Sequence, residues 1–451
     1  MLNLFKIRFI KDSGTLLWGN LVAQGIAFAA YVVLLRLFTP EDFGLCNVFF
    51  SYTEVLIILS TCKYEMAVVK ADNDNEAETL VRAALKLNWM FALLLTVIGI
   101  VLALLGVSLS GLPVWMPLLI PVLVYFTGTN RVYNFVCNRY RKYQQLAMGE
   151  VVSVSGGTVT RILFGLTAPL WQLLHSIGLP VGSILGKVAG HIYLHRCAKT
   201  IMREQTVATD HLSEGEAATT AATLTMKETL RKHRNFPIYV MPKELVSSFS
   251  ANLPLMWLSV YFEKPLLGLF SLALTFTQRP VNVLANSFEK VFYQSAVVKV
   301  TERRLIWHDV RRFALLLGAG ALAVGSAVFF FAEPLFVFLF GDQWIGTGYY
   351  VRCLLPWMGI LVVTNSLAFV ANVFGTQRVD FCLQLLQLLL RVGALYTGIA
   401  MGDFKLAVLL FAAVSAVVQA VQGGWYLYQT YRYDKRCKRG ETQILKTEEV
   451  I

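Results

Sequence analysis

Long apolar runs separated by short polar segments fill most of this 451-residue chain. About twelve of the runs reach the roughly 20 residues that an α-helix needs to cross a hydrocarbon core about 30 Å thick. Because a helix satisfies its own backbone hydrogen bonds, it is the form that such runs take in lipid. The pattern therefore predicts an all-α polytopic membrane protein. The predicted spans are Leu16–Phe38, Phe43–Cys62, Ala83–Val107, Trp115–Val136, Glu150–Leu170, Gly178–Leu194, Phe236–Phe262, Leu266–Phe292, Phe313–Phe331, Tyr349–Phe374, Phe381–Ala400 and Leu406–Leu427.

The composition agrees with a membrane location. Hydrophobic residues make up 56% of the chain and charged residues only 15%, against about 25% charged residues in soluble domains. The seven cysteines are scattered and include no CxxC pair, so we expect reduced thiols. The first apolar run follows Lys6, Arg8 and Lys11, and its length predicts an uncleaved membrane anchor.

The net charge of +12 is distributed unevenly among the loops. Basic residues collect in alternate loops, which is the positive-inside pattern of membrane proteins. This pattern accounts for the charge without a nucleic-acid partner and predicts that both termini are cytoplasmic. The basic residues of the predicted cytoplasmic loops and tail are Lys6, Arg8, Lys11, Lys63, Lys70, Arg82, Arg139, Arg141, Lys142, Arg196, Lys199, Arg203, Arg231, Lys232, Arg234, Lys299, Arg303, Arg304, Arg311, Arg312, Arg378, Arg432, Lys435, Arg436, Lys438 and Arg439.

Two halves of six spans each are predicted. The longest hydrophilic stretch, Cys197–Asn235, separates them, and we expect a cytoplasmic linker there with a helix near Met226–Arg234. Its basic cluster at 231–234 is expected to meet anionic lipid. The predicted organisation is a bundle at 1–197, a linker at 198–235, a second bundle at 236–429 and a cytoplasmic tail at 430–451.

A short motif recurs in the two halves. Leu37–Pro40 leads to Gly44, and Phe262–Pro265 leads to Gly268. Each copy joins the first span of its half to the second. Because the offset is an even number of spans, the predicted repeat is parallel, with a pseudo-twofold axis along the membrane normal. Transporters with such a repeat bind substrate between their halves.

Four glycines recur every four residues in the sixth span, at Gly178, Gly182, Gly186 and Gly190. This spacing places them on one helix face, where a neighbouring backbone can approach closely. The sequence therefore predicts tight packing of the sixth span against another helix.

Charged residues within the spans point to function, because each costs at least a few kcal/mol at mid-bilayer unless it is paired or hydrated. One interpretation is a set of structural ion pairs or polar contacts between helices. The other is a hydrated cavity with excess positive charge. Such a cavity suits phosphate or pyrophosphate, since arginine offers a planar fork of donors. The charged residues near mid-span are Glu54, Arg161, Lys187, Arg279 and Arg391, and those about 10 Å inside the seventh span are Lys243 and Glu244.

Arg279 is the strongest candidate for a phosphate ligand, because the eighth span around it is unusually polar. The predicted substrate-binding residues are Arg279, Arg161, Lys243, Arg391, Gln278, Asn282 and Asn286. Glu54 and Glu244 are the carboxylates expected in any coupling to Na⁺ or H⁺. No catalytic residues, metal ligands or other cofactors are predicted, since His191 and His195 lack a third ligand.

Three stretches carry a family resemblance. The first is Leu35–Leu45, which reads LRLFTPEDFGL. The second begins at Phe236–Tyr239 and ends at Val291–Gln294, and the third is Leu335–Gly341 with Trp344. Together they resemble the polysaccharide-transporter branch of the multidrug/oligosaccharidyl-lipid/polysaccharide (MOP) flippase superfamily, the Wzx-like O-antigen and oligosaccharide flippases.

The resemblance implies a MATE-like fold of two six-helix bundles in a V around a central cavity. It implies a flippase rather than an enzyme, moving oligosaccharide repeat units on undecaprenyl pyrophosphate across the bacterial inner membrane by alternating access. The product would be O-antigen, capsule or exopolysaccharide. The expected partners are the lipid-linked oligosaccharide and membrane lipids, with a polysaccharide polymerase and glycosyltransferases as further candidates.

Two kinds of alternative stay open. Another exporter of the superfamily, either a drug/cation antiporter or a peptidoglycan-precursor flippase, would share the fold. A cation exporter should have mainly acidic residues in its cavity, whereas bases outnumber acids among the deep positions here. A polytopic polymerase or acyltransferase should carry a sizeable outer catalytic loop or a mid-membrane His/Asp pair, and the predicted outer loops are short.

Overall fold

The computed structural model describes residues 28–167, 172–213, 225–302 and 304–439, together with Gly25. Within these ranges every regular element is helical. Much of the first predicted span, the centre of the linker and the end of the tail lie outside the described residues. The chain folds into two compact units, Met1–Met256 and Trp257–Ile451.

The first unit holds eight helices and the start of a ninth in its described part. Turns of 3₁₀-helix at Val68–Lys70 and Met116–Leu119 and a π-helical segment at Phe236–Val240 connect some of them. The helices are α1 Phe28–Leu37, α2 Pro40–Ser60, α3 Tyr64–Ala67, α4 Asp74–Leu104, α5 Ile120–Arg139, α6 Tyr143–Leu166, α7 Gln172–Ser213, α8 Met226–Lys232 and α9 Met241–Tyr261.

The second unit begins within α9 and continues with six helices in its described part. A 3₁₀ turn at Asp342–Trp344 separates two of them. The helices are α10 Lys264–Thr301, α11 Trp307–Phe340, α12 Thr347–Ser366, α13 Phe369–Val373, α14 Gln377–Ala400 and α15 Phe404–Lys438. Each predicted span that falls on described residues coincides with one long helix of the two units, except that the tenth, Tyr349–Phe374, is divided between α12 and the short α13.

The motif shared by the two halves forms a helix start. Thr39 caps α2: its hydroxyl accepts from the Asp42 N–H at 3.3 Å, while the Asp42 carboxylate accepts from the Thr39 N–H at 3.0 Å. Pro40 occupies the first turn, where its missing N–H costs nothing. At the second copy, Glu263 is the N-cap of α10 and Pro265 again lies in the first turn. Both copies therefore lie where one helix ends and the next begins.

The same helix pairs pack within each unit, which confirms the repeat of six spans. In the first unit α5 packs on α2, α4 and α7, and α6 packs on α7. In the second unit α12 packs on α10, α11 and α15, and α14 packs on α15. The two sets correspond helix by helix along the chain.

The glycines of the sixth span pack against α6, as predicted. A Cβ added to Gly186 would lie 2.5 Å from the Ser153 carbonyl oxygen and 2.7 Å from the Gly157 Cα. Added carbons at Gly178, Gly182 and Gly190 would also meet atoms of α6 at 2.9 Å or less. The backbones of α6 and α7 thus touch along one seam.

Seven described helical segments are long and apolar enough to cross a membrane by length and composition alone. Four further long helices, α5, α6, α9 and α10, are more polar than this criterion allows. These four helices are less apolar because they carry amide and charged side chains along their length. Examples are Asn130, Arg161, Lys243 and Arg279. A helix of this kind is stable in a bilayer only where its polar face meets protein or water.

Candidate functional site

One face of α10 carries a continuous polar stripe. Thr275, Gln278, Arg279 and Asn282 follow the helical spacing i, i+3, i+4, i+7, so they share one side of the helix. The Arg279 side chain is exposed, while Gln278 and Asn282 are half-buried. Asn286 continues the spacing, but its side chain lies outside the described residues. The stripe brings together three of the predicted substrate-binding residues.

Arg279 lies about 22 Å from the start of α10, 15 residues along the helix from Lys264. Pro280 follows it and cannot donate a backbone hydrogen bond, so the carbonyl of Phe276 loses its usual intrahelical partner. The stripe is therefore polar in its side chains and in one backbone carbonyl near the middle of the predicted span.

The two predicted coupling carboxylates lie where α2 and the turn after it meet α9 in the first unit. Glu54 is exposed on α2 and accepts a 3.1 Å hydrogen bond from the Asn252 side chain. Glu244, at the start of α9, forms an ion pair with Lys63, whose side chain is only 7% exposed. Lys243 is half-buried beside Glu244. Both carboxylates thus link α9 to the α2–α3 region.

Arg161 and Arg391 occupy equivalent places in their units. Arg161 on α6 donates a 2.5 Å hydrogen bond to the Ser183 hydroxyl on α7. Arg391 on α14 donates a 2.9 Å hydrogen bond to the Ser415 hydroxyl on α15. Arg391 is only 5% exposed, and its guanidinium lies over two aromatic rings, 5.0 Å from the centre of Trp357 and 4.7 Å from that of Phe411. Each arginine therefore fills a helix interface inside its own unit.

A buried polar group on α14 was not among the predicted site residues. Asp380 is 7% exposed and accepts hydrogen bonds from the Tyr426 hydroxyl at 2.6 Å and from the Gln422 amide. The sequence pattern that could have indicated this group is a repeat of polar residues at i, i+4, i+7 and i+11, which occurs on α14 and again on α15. The signal was missed because Asp380 falls just outside the predicted span.

The linker helix α8 binds the predicted cytoplasmic end of α4. Lys232 lies 2.7 Å from Asp72 and 2.6 Å from Glu76, and His233 lies 2.9 Å from Glu76. Hydrogen bonds to Asp72 and Glu76 raise the pKa of Lys232, so its ammonium stays charged at neutral pH. Two of the four basic residues expected to meet lipid thus contact the carboxylates of Asp72 and Glu76 instead. Arg231 and Arg234 are exposed.

Removing the Glu76 charge should release this linker helix. In Glu76→Gln, Lys232 and His233 lose the carboxylate that they share, and amide hydrogen exchange over 226–236 should accelerate about tenfold or more. Glu78→Gln is the matched control, because Glu78 pairs with Arg82 one turn along the same helix. Equal exchange rates in the two variants would show that Glu76 does not hold α8.

Comparisons with known proteins agree on the class of protein. A lipid II flippase, MurJ, in an inward-closed conformation aligns with a TM-score of 0.65 at 10% identity, over 93% of this chain and 90% of that one. An inward-facing multidrug resistance MATE family transporter of the MOP superfamily aligns with a TM-score of 0.62 at 14% identity, over 91% of this chain and 96% of that one. At these identities the likeness establishes the fold, which is that of the MOP transporters.

The family follows from sequence. The model of the polysaccharide biosynthesis protein family matches residues 9–293, so this chain belongs to that family. It is 23% identical over 417 residues to the succinoglycan biosynthesis transport protein ExoT of Rhizobium meliloti (strain 1021), covering 90% of this chain and 77% of that protein. The resemblance expected from the sequence is confirmed. The chain is a multi-pass membrane transporter of polysaccharide biosynthesis and not an enzyme.

Proposed function

We propose that this transporter is a flippase for oligosaccharide repeat units carried on undecaprenyl pyrophosphate. The observation that carries the proposal is the exposed Arg279 guanidinium midway along a predicted span, with Gln278 and Asn282 on the same face. A charge at this depth is stable where it is paired or hydrated, and an exposed guanidinium can meet a ligand from a hydrated cavity. The planar guanidinium of Arg279 can donate to the two phosphates of a pyrophosphate, and the neighbouring amides can bind sugar hydroxyls.

The cycle that we propose is alternating access. The pyrophosphate and sugars enter a hydrated cavity from the cytoplasmic side while the polyprenyl tail stays in lipid. Arg279 neutralises the phosphates, and Lys243 is the second cation that we place on the route because it is half-buried rather than enclosed. Arg161 and Arg391 keep their bonds to Ser183 and Ser415 and support the surrounding helices.

We place the protein in the bacterial inner membrane with both termini in the cytoplasm, as the distribution of basic residues predicts. A polysaccharide polymerase and glycosyltransferases are the proteins that we expect to work beside it. The driving force that we propose is a gradient of H⁺ or Na⁺, in which Glu54 and Glu244 would take part through their contacts with α9.

Deletion of the gene in its own host tests the substrate. Lipid-linked repeat units should accumulate in the inner membrane, inaccessible to a glycosidase added outside spheroplasts, and surface polysaccharide should disappear. Complementation with the wild-type chain should restore both. Accumulation of peptidoglycan precursors with normal surface polysaccharide would contradict the proposal and favour a peptidoglycan-precursor flippase instead.

A further inference from the structure

A polar stripe like that of α10 recurs on α5, in the first unit. Residues 127–134 read TGTNRVYN, and residues 275–282 read TFTQRPVN. The first, third, fifth and eighth residues are identical, and an amide side chain occupies the fourth position of both segments. The repeat of six spans does not account for this match, because α5 corresponds to α12 and α10 to α2 in helix packing. The two helices therefore share the chemistry of the stripe without being counterparts in the fold.

The α5 stripe lies inside a predicted membrane span. Thr127, Asn130, Arg131 and Asn134 follow the spacing i, i+3, i+4, i+7, so they share one side of the helix. Arg131 lies eight residues, about 12 Å, before the end of α5 at Arg139. A cation at that depth is costly unless it is paired or hydrated. Arg131 is half-buried and makes no hydrogen bond or ion pair with any residue of the described chain.

Lys187 of α7 lies beside this stripe and is unpaired as well. The Asn130 amide nitrogen donates to the Lys187 carbonyl at 2.9 Å, which joins α5 and α7 at this level. The Lys187 side chain is half-buried, and its ammonium has no partner among the described residues. Asn134 is half-buried too, and its Oδ1 atom is enclosed, so its amide nitrogen is the end that a ligand can reach. Arg131, Lys187 and Asn134 thus offer unpaired donors in one region.

The charge around the stripe favours an anion. α5 carries no carboxylate, and neither does α7 over residues 177–203. The carboxylates within the predicted spans that pack on these two helices are Glu54, which is bound to Asn252, and Glu150, at one end of its span. Thr127 Oγ1 and Asn130 Oδ1 are buried without a partner, although buried polar atoms are normally paired. Proteins retain such a cost chiefly at functional sites.

We propose that the α5 stripe is a phosphate-binding site of the first unit, separate from the stripe of α10. Arg131 and Lys187 neutralise the phosphate, and the Asn134 amide donates to one of its oxygens. For its natural ligand this inference rests on the proposed flippase function, since that ligand is the pyrophosphate of the lipid-linked oligosaccharide. Each unit then carries its own phosphate site for the same substrate.

The ³¹P NMR line width of inorganic pyrophosphate tests the site on the full-length protein in phosphatidylcholine nanodiscs, because exchange with a bound state broadens the line. Arg279→Ala, which lacks the α10 ligand, should still broaden it. Adding Arg131→Ala to that variant should weaken pyrophosphate binding about ten- to a hundredfold, as expected for the loss of a charge-assisted hydrogen bond. Arg196→Ala in the same background is the matched control, because Arg196 is exposed on α7 beyond the predicted span.

Asn134→Leu separates binding from a structural role. The substitution removes a side chain whose polar atoms are unpaired, so the thermal stability of the protein without ligand should stay the same or rise. Pyrophosphate binding should fall in the same variant. A loss of stability with unchanged binding would show that Asn134 supports helix packing, and would count against the site.

Three results would overturn the site. The first is broadening that Arg131→Ala leaves unchanged in the Arg279→Ala background. The second is broadening that Arg279→Ala removes alone, which would leave the flippase proposal standing with α10 as its phosphate site. The third is loss of binding when phosphatidylglycerol is added to the nanodiscs, because the stripe would then hold the phosphate of a membrane lipid. Normal surface polysaccharide after gene deletion would instead contradict the flippase function and leave the binding result intact.

Discussion

Arg279→Ala is expected to lower surface-polysaccharide export by about ten- to a hundredfold, the effect of losing a charge-assisted hydrogen bond of about 1.5–3 kcal/mol to a phosphate. The loss should be large because the residue is exposed at the centre of the α10 stripe and its neighbours there are neutral amides. Export is measured as the rate at which new polysaccharide appears on cells that carry only the variant chain.

Two further variants define the chemistry at this position. Arg279→Lys keeps the charge but loses the planar fork, so it should restore export only in part. Arg378→Ala is the matched control, since Arg378 is exposed at the start of α14 and outside the predicted spans. Wild-type export by a normally inserted Arg279→Ala protein would show that Arg279 does not bind the phosphates.

Gly186→Ala is expected to be the most destabilising single-methyl change in the first unit. The added carbon would lie 2.5 Å from a carbonyl oxygen and 2.7 Å from a Cα of α6, and backbone atoms cannot rotate away as a side chain can. The two helices must separate, at a cost of about 3 kcal/mol in the free energy of unfolding. Unfolding of purified protein in detergent, followed by the exposure of buried cysteines to a thiol dye, measures the loss.

Gly318→Ala provides the comparison for this prediction. Gly318 lies on α11 with nothing within 4 Å of an added Cβ, and alanine favours the helix more than glycine does. The free energy of unfolding of the Gly318→Ala variant should therefore equal that of the wild type or be slightly higher. If the Gly186 and Gly318 variants unfold alike, the seam between α6 and α7 is not a determinant of stability.

Much of the helix arrangement could be predicted because lipid imposes strict rules on sequence. Each span must be about 20 apolar residues long, and basic residues must collect on one side. The glycine stripe of α7 could also be identified, since it depends on residues a fixed few positions apart. Local spacing of this kind is fully visible in a sequence.

Contacts between distant residues could not be predicted in the same way. The sequence indicated that Arg161, Arg391, Glu54 and Glu244 lie deep in their spans, and two interpretations of each were possible. The structure pairs Arg391 with Ser415, 24 residues away, and Glu54 with Asn252, 198 residues away. Such partners depend on the rotation and register of packed helices, which span length does not determine.

The sequence by itself determined that the chain is a helical membrane transporter built from a repeated set of six spans, because hydropathy, loop charge and short motifs act locally along the chain. Only the tertiary structure decided which polar residues are enclosed and which are exposed. It encloses Arg391 and Asp380 between helices and leaves Arg279 exposed. The physical reason is that the cost of a charge in a membrane depends on its neighbours, and neighbours are determined by packing.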